Sequence, residues 1–226
     1  MGQKSNPKGL RLGIIFDWDS NWFALHKYKE YVLEDYKIRN FLNNEMHMAG
    51  ICLVKIGRKN DIVEVHAKVS RSGVLYGKSG LDIDTIKQEL EKIVQKKVVF
   101  EIIDEKNPDL NAKLLSSWVA EQLEKRVPFR RAMKMSIQRS MRAGAKGIKV
   151  ICAGRLGGIE IARTEHYHEG SIPLNTFRAN IQSGFSEALT TFGKIGVKVY
   201  VNLGEVTEMI VEAKPKIRKK KKMAEG

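Results

Sequence analysis

A glycine-rich segment at residues 72–80 lies between strand-like and helix-like patterns and limits how the first half of the chain can fold. The runs on either side have apolar residues at helical or strand spacing. They predict a helix at 27–48, strands at 51–56 and 62–69, a helix at 82–96 and a strand at 98–103. This order of helix, strand, strand, glycine loop, helix and strand predicts one compact α/β unit.

The glycine segment contains the sequence Gly77, Lys78, Ser79, Gly80, which allows more than one interpretation. A nucleotide-binding P-loop has four residues between its first glycine and Gly-Lys-Ser. Only three residues separate Gly73 from Gly77, so the loop is one residue short. A Gly-x-x-Gly loop lets a nucleic-acid backbone approach closely, and a plain turn with glycine at positive φ also fits. In its setting, the loop resembles that of a KH domain that begins with a helix.

The second half of the chain predicts a separate unit that starts at Asn107-Pro108, a pair suited to a helix start. We predict helices to about residue 125 and from 128 to 143, then strands at 148–153, 159–167, 179–188 and 196–203. The predicted class is α+β, a type II KH domain (α-β-β-α-α-β) followed by two helices on a mostly antiparallel sheet. The expected divisions are a basic extended arm at 1–16, the KH domain at 17–106, the second domain at 107–207 and a basic tail at 208–226.

The composition indicates an anionic partner. The chain has 40 Lys and Arg against 26 Asp and Glu, a net charge of +14, and is 42% hydrophobic, enough for folded cores. Nucleic acid is the commonest such partner, because each neutralised phosphate releases a counterion. We expect no membrane association, since no apolar run approaches the ~20 residues that span a bilayer and no signal peptide is visible. Cys52 and Cys152 are typical of buried thiols in a reducing cytosol.

The cations are concentrated in two blocks without Asp or Glu, residues 125–159 and 214–222. On the predicted helix after Pro128, the small and apolar residues share one side and the cations lie opposite, so no i,i+4 salt bridge offsets their repulsion. We therefore expect this face to contact RNA. The second block belongs to the tail, which we expect to be a flexible, nonspecific RNA anchor.

Other candidate sites are weaker. His166 and His168 would share a strand face, but the spacing suggests no third metal ligand, so a strand surface is favoured. Trp18 and Trp22 suit either base stacking or packing. We find no acid–base pair or nucleophile with supporting context and expect no metal or cofactor.

Several sequence strings resemble the family of bacterial-type small-subunit ribosomal protein three. They begin with MGQKSNPKGLRLGI at 1–14 and continue with FRRAMK at 129–134, GAKGIKV at 144–150, GRLGGIEIARTE at 154–165, PLNTFRAN at 173–180 and GKIGVKV at 193–199. The similarity runs from residue 1 to about Glu205. The chain departs from the family before the glycine loop, where Ser72 replaces the usual proline.

The resemblance implies a non-enzymatic RNA-binding component of the small subunit, in the cytoplasm and in the head of the 30S particle. Members of the family bind small-subunit ribosomal RNA, neighbour ribosomal proteins ten and fourteen, and line the tunnel where messenger RNA enters. Their basic trio, which assists unwinding of structured messages, corresponds to Arg130, Arg131 and Lys134. We expect other cations to contact ribosomal RNA: Lys4, Lys8, Arg11, Arg126, Arg139, Arg142, Lys146, Lys149, Arg155, Arg163 and Arg178.

Two rival functions stay open on sequence grounds. A free-standing KH-domain regulator of messenger RNA would not need to sediment with small subunits. A nucleotide hydrolase would use the Gly77 loop, although the missing residue of that loop argues against it.

Overall fold

A computed structural model describes residues 4–59, 62–76 and 83–206. The helices are α1 Tyr28–Glu45, α2 Gly73–Tyr76, α3 Ile83–Val94, α4 Ala112–Glu124 and α5 Phe129–Arg142. The strands are β1 Ser20–Asn21, β2 Ile51–Lys59, β3 Ile62–Val69, β4 Lys97–Asp104, β5 Gly147–Gly154, β6 Arg163–Gly170, β7 Ala179–Thr190 and β8 Gly193–Glu205.

The first sheet has the strand order β1-β2-β3-β4. The β2–β3 pair is antiparallel, whereas β4 runs parallel to β3. Helices α1 and α3 cover one side, where alternate strand residues such as Val63 and Val65 meet Ile38, Leu42 and Leu90 in one core. The order α1-β2-β3-α2-α3-β4 confirms the predicted KH arrangement.

The second sheet is antiparallel throughout, with the order β6-β5-β8-β7. Helices α4 and α5 pack on one side of it, and the core contains Val119, Met133, Val150 and Val199. Gly184 allows α4 to lie directly on β7, since a Cβ atom there would be 2.2 Å from the carbonyl oxygen of Ala112. This arrangement confirms the predicted α+β class.

Strand β6 starts later than the sequence predicts, at Arg163 instead of residue 159. Gly157 and Gly158 have φ of +71° and +82°, so the chain turns before it can extend. Arg155 closes this turn by donating a hydrogen bond from Nε to the carbonyl oxygen of Ile159 at 2.8 Å.

The N-terminal segment is not the extended arm predicted for residues 1–16. From residue 7 onward it forms successive turns, with a short 3₁₀ helix at Gly9–Arg11. The side chain of Arg11 is fully buried and donates hydrogen bonds to carbonyl oxygens of Pro7, Leu174, Thr176 and Ala179. The segment is therefore docked on the second domain. None of the helices described is long and apolar enough to cross a membrane.

Candidate nucleic-acid interface

Helix α5 buries its small and apolar side chains and exposes its cationic ones. Five residues on its inner side are buried: Ala132, Met133, Ser136, Ile137 and Ser140. The outer side carries Arg130, Arg131 and Lys134, all exposed. No ion pair to these three cations occurs within the described part of the chain. The packing of α5 on the sheet thus exposes three cations that no described carboxylate neutralises.

The N-terminal turn of α5 is electrostatically unfavourable for the isolated protein. Its N-cap residue is Pro128, which makes no capping hydrogen bond, and the first turn contains no acidic residue. Cations at a helix N-terminus meet the positive end of the helix dipole, at about 0.3–1 kcal/mol each. The first amides of a helix also lack intrahelical acceptors. An anion bound at this end would offset the repulsion and accept hydrogen bonds from the free amides, and phosphate is the anion most often found there.

Arg126 has a backbone conformation that favours glycine. After α4 its φ is +59°, in the left-handed region. The amide of Val127 donates to the carbonyl of Gln122 and that of Arg126 to the carbonyl of Leu123, each at 3.0 Å, which is the Schellman pattern. A side chain there costs about 1–2 kcal/mol relative to glycine. The position keeps an exposed cation next to α5 despite this strain.

The ring of Phe129 connects α5 to the edge strand β6. The guanidinium of Arg130 lies 5.6 Å from the ring centroid and that of Arg163 lies 5.7 Å from it. Arg163 therefore joins the cluster at the start of α5, although it is partly paired with Glu165 at 3.4 Å. Sequence analysis missed the role of Phe129, which the pattern marked only as one of the residues on the apolar side.

Arg139 differs from the expectation of an unpaired cationic helix. Its Nη2 atom lies 2.8 Å from Asp109 Oδ1, and its guanidinium lies 4.9 Å from the ring centroid of Trp118. The acid comes from the segment before α4, outside the range of an i,i+4 search. Arg142 and Lys146, beyond it, are exposed.

The remaining predicted RNA-contacting residues are dispersed. Lys4 is exposed, Lys8 is paired with Asp19, and Arg178 is paired with Glu205 at 2.9 Å. Arg155 bonds to loop carbonyls, including that of Phe192 at 3.3 Å. Lys149 lies on the side of the second sheet opposite the helices, because its neighbours Ile148 and Val150 face the core.

Arg11 is the predicted RNA contact that the structure contradicts. It is fully buried, so no phosphate can reach its guanidinium. Carbonyl oxygens take the positions that phosphate oxygens would need. Its role is to hold the N-terminal segment in place.

Trp22 packs instead of presenting a free stacking surface. Its Nε1 donates to Asp35 Oδ2 at 2.8 Å, and its ring contacts those of Tyr28 and Tyr31. Trp18 is 63% exposed. His166 and His168 are exposed on β6, and no cluster of three metal-binding side chains exists among the residues with described coordinates. The Gly77–Gly80 loop and the 208–226 tail lie outside the described residues.

Comparisons with known proteins agree with this architecture. A family model described as a KH domain matches residues 37–110, and one described as ribosomal protein S3, C-terminal domain, matches residues 119–201. The chain is 54% identical over 205 residues to small ribosomal subunit protein uS3 of Ehrlichia chaffeensis, covering 91% of this chain and 97% of that protein. It is 50% identical over 206 residues to the uS3 protein of Desulfitobacterium hafniense, covering 91% and 94%. With two matched domains in this order and such identity over nine-tenths of its length, the chain belongs to the uS3 family of small ribosomal subunit proteins.

Proposed function

We propose that the cationic face of α5 grips messenger RNA at the entry to the small subunit and assists the unwinding of structured messages. Membership of the uS3 family makes the chain a structural, non-enzymatic constituent of that subunit, with small-subunit ribosomal RNA as a partner. The observation that carries the proposal is the set of three exposed cations at the uncapped end of α5, which form no ion pair with any residue of the described ranges.

The mechanism is electrostatic. Arg130, Arg131 and Lys134 present point charges and guanidinium forks to phosphates, which are the same in every sequence, so binding tolerates any message. Phosphates of a single strand that settle at the start of α5 also satisfy its free amides. Holding that strand while the ribosome advances favours the open form of a hairpin without a motor in this protein.

Reconstituted ribosomes provide the test. Ribosomes carrying Arg130→Ala, Arg131→Ala and Lys134→Ala together (the α5 triple variant) should translate hairpin-containing messages more slowly and unstructured messages at the normal rate. The matched control removes the same charge elsewhere, by Lys29→Ala, Lys37→Ala and Lys87→Ala, all exposed positions on α1 and α3. Equal slowing of the α5 triple variant on both messages would refute the unwinding role.

A location in the head of the subunit, beside ribosomal proteins ten and fourteen, is part of the same proposal. An exposed apolar surface supports a protein neighbour: Phe23 is 85% exposed and Leu25 is 79% exposed. Tyr28, Val32 and Tyr36 continue it along one side of α1. Exposed apolar patches of this kind mark interaction sites.

Binding to the two purified proteins tests this part. Phe23→Ser with Leu25→Ser should weaken binding of protein ten or fourteen, because each change removes apolar area from the interface. Leu189→Ser, at an exposed apolar position in the second domain, is the control. Undiminished binding of both proteins by the Phe23 and Leu25 variant would exclude this surface.

The tail at 208–226 is proposed as a nonspecific RNA anchor on the basis of its charge alone. Removal of residues 214–226 deletes seven cations, so the salt dependence of RNA binding should become shallower. An unchanged slope would remove the tail from the RNA-binding surface.

A further inference from the structure

Among the described residues, no helix packs on the second side of the β5–β8 sheet, and this open sheet face carries a regular arrangement of cations and rings. Strand pairing places Lys149 between His168 and Tyr200 in one cross-strand row. In the next row, Ile151 lies between His166 and Lys198, and Lys198 pairs with Phe185. Each row therefore sets a lysine beside an aromatic ring.

The lysines of this face have no acidic partner in the described part of the chain. Neither Lys149 nor Lys198 has an ion pair with any residue described in the structure. The carboxylate that shares the face, Glu187, is already paired with Lys194 at 2.9 Å. Among the described residues, these two central positions of the face are therefore left positive.

The rings are presented for stacking. Phe185 is 55% exposed, and its ring lies beside Gly196 on the neighbouring strand, where a Cβ atom would be 3.5 Å from Cε2 of the ring. Tyr200 is partly exposed on the central strand β8. Residues in diagonal positions on adjacent strands lie about 7–8 Å apart, within the reach of two bases on one strand of RNA. Ring and lysine together supply a base-stacking surface and a phosphate contact.

We propose that the open sheet face binds an unpaired RNA segment, with bases stacked on Tyr200 and Phe185 and phosphates at Lys149 and Lys198. This site lies on the opposite side of the domain from α5, because β5 residues alternate between the core under the helices and the open face. The domain then joins two RNA segments, one on each side. The proposal goes beyond the messenger contact at α5 and does not depend on it.

The test uses the full chain in the background of the α5 triple variant, so that the three main cations of the helix site are absent. The probe is a fluorescein-labelled, unpaired RNA of mixed sequence, followed by fluorescence anisotropy over a series of salt concentrations. Tyr200→Ala should weaken binding about 5- to 100-fold, the usual effect of removing a stacking ring. Tyr200→Phe should bind as the background does. Lys149→Ala with Lys198→Ala should reduce the salt slope by about 1.4, since each phosphate contact on a single strand contributes about 0.7.

Control variants separate this effect from lost charge or lost folding. Lys29→Ala with Lys37→Ala removes two exposed cations from α1 and should leave the stacking-dependent binding unchanged. Circular dichroism shows whether each variant keeps the fold. If both the Tyr200→Ala and the double-lysine variants kept the affinity and salt slope of the α5 triple variant background, the proposal would be overturned, whatever the behaviour of that background on hairpin messages.

Photo-crosslinking in assembled small subunits decides between RNA and protein as the occupant. With Ile151→p-benzoylphenylalanine, which lies between His166 and Lys198 and leaves both lysines and both rings in place, irradiation should attach the chain to ribosomal RNA. Attachment to a ribosomal protein, or to nothing, would overturn the assignment of the face to RNA.

Discussion

The Nε atom of Arg11 donates a hydrogen bond of 2.6 Å to the carbonyl oxygen of Ala179, which lies 168 residues later in the chain. Its Nη atoms reach the carbonyls of Pro7, Leu174 and Thr176 at 2.9–3.1 Å. No carboxylate among the described residues pairs with this buried guanidinium. Backbone carbonyls are thus the partners that stabilise its charge within the described residues, and they fix the N-terminal segment against the start of β7.

Replacement of Arg11 should destabilise the fold. Arg11→Ala leaves these four carbonyls without this donor, and each hydrogen bond to a charged group is worth about 1.5–3 kcal/mol. Because water can replace part of these hydrogen bonds, we expect a net loss of at least about 3 kcal/mol in the free energy of unfolding. Urea unfolding measures it. Lys4→Ala, at an exposed position in the same segment, should change the value by less than about 0.5 kcal/mol. An equally small effect of Arg11→Ala would show that the segment is not held by this residue.

The contrast between Arg11 and α5 shows what sequence can and cannot establish in this chain. Apolar spacing predicted the longer helices and strands of both domains, apart from the start of β6, since each element buries one side. It could not predict the partners of Arg11, which lie far along the chain, or the contact of Arg163 with Phe129. The open sheet face became visible only through strand register, which sets Lys149 beside Tyr200.

A second buried cation, Arg58, ties β2 to α1. Its Nη1 lies 2.5 Å from Glu34 Oε2 and its Nη2 lies 2.6 Å from Asp35 Oδ1, and its side chain is only 5% exposed. Arg58→Ala leaves the buried Asp35 carboxylate without its partner, so we expect a loss of about 3–5 kcal/mol in the free energy of unfolding.

The double variant Arg58→Met with Asp35→Asn provides the control for this loss. It removes both charges and keeps an amide oxygen that can accept the hydrogen bond from Trp22 Nε1. Chemical denaturation should show it to be more stable than Arg58→Ala. If the double variant were no more stable than the single one, the uncompensated carboxylate would not be the source of the loss.

The two cysteines should resist modification in the native protein. Burial raises the pKa of the Cys52 thiol to about 12, with the Glu105 carboxylate adding to the effect, and burial alone raises the pKa of the Cys152 thiol to about 12. Because the thiolate is the reactive form, alkylation at pH 8 should be slow until denaturant unfolds the chain. Single Cys52→Ala and Cys152→Ala variants give the alkylation rate of each remaining thiol separately. Alkylation of the native protein at the rate of a free thiol would contradict this expectation.

The same pKa shifts predict an alkaline loss of stability. The unfolded thiols titrate near their ordinary pKa of about 8.5, so above that pH the unfolded state releases protons that the folded state retains. The stabilising contribution is complete below the unfolded pKa and is lost as pH rises towards 12. The urea midpoint should therefore fall more between pH 8 and pH 10.5 in the wild type than in the Cys52→Ala, Cys152→Ala variant. Parallel decreases in the two proteins would rule out the thiols as the cause.

Replacement of Arg126 by glycine should raise the stability of the protein and weaken its RNA binding. Its φ of +59° completes the Schellman pattern after α4, where glycine is the unstrained residue. Arg126→Gly removes about 1 kcal/mol or more of strain, partly offset by the greater freedom of glycine in the unfolded chain, so we expect a net gain of a few tenths to 1 kcal/mol. The same change removes a cation beside α5 and should lower the salt slope of RNA binding by about 0.7.

Arg126→Asn, which tolerates the left-handed region without the charge, should weaken binding equally while gaining less stability. If Arg126→Gly were less stable than the wild type, the arginine side chain would support the fold. The strained backbone at this position would then not be explained by RNA binding.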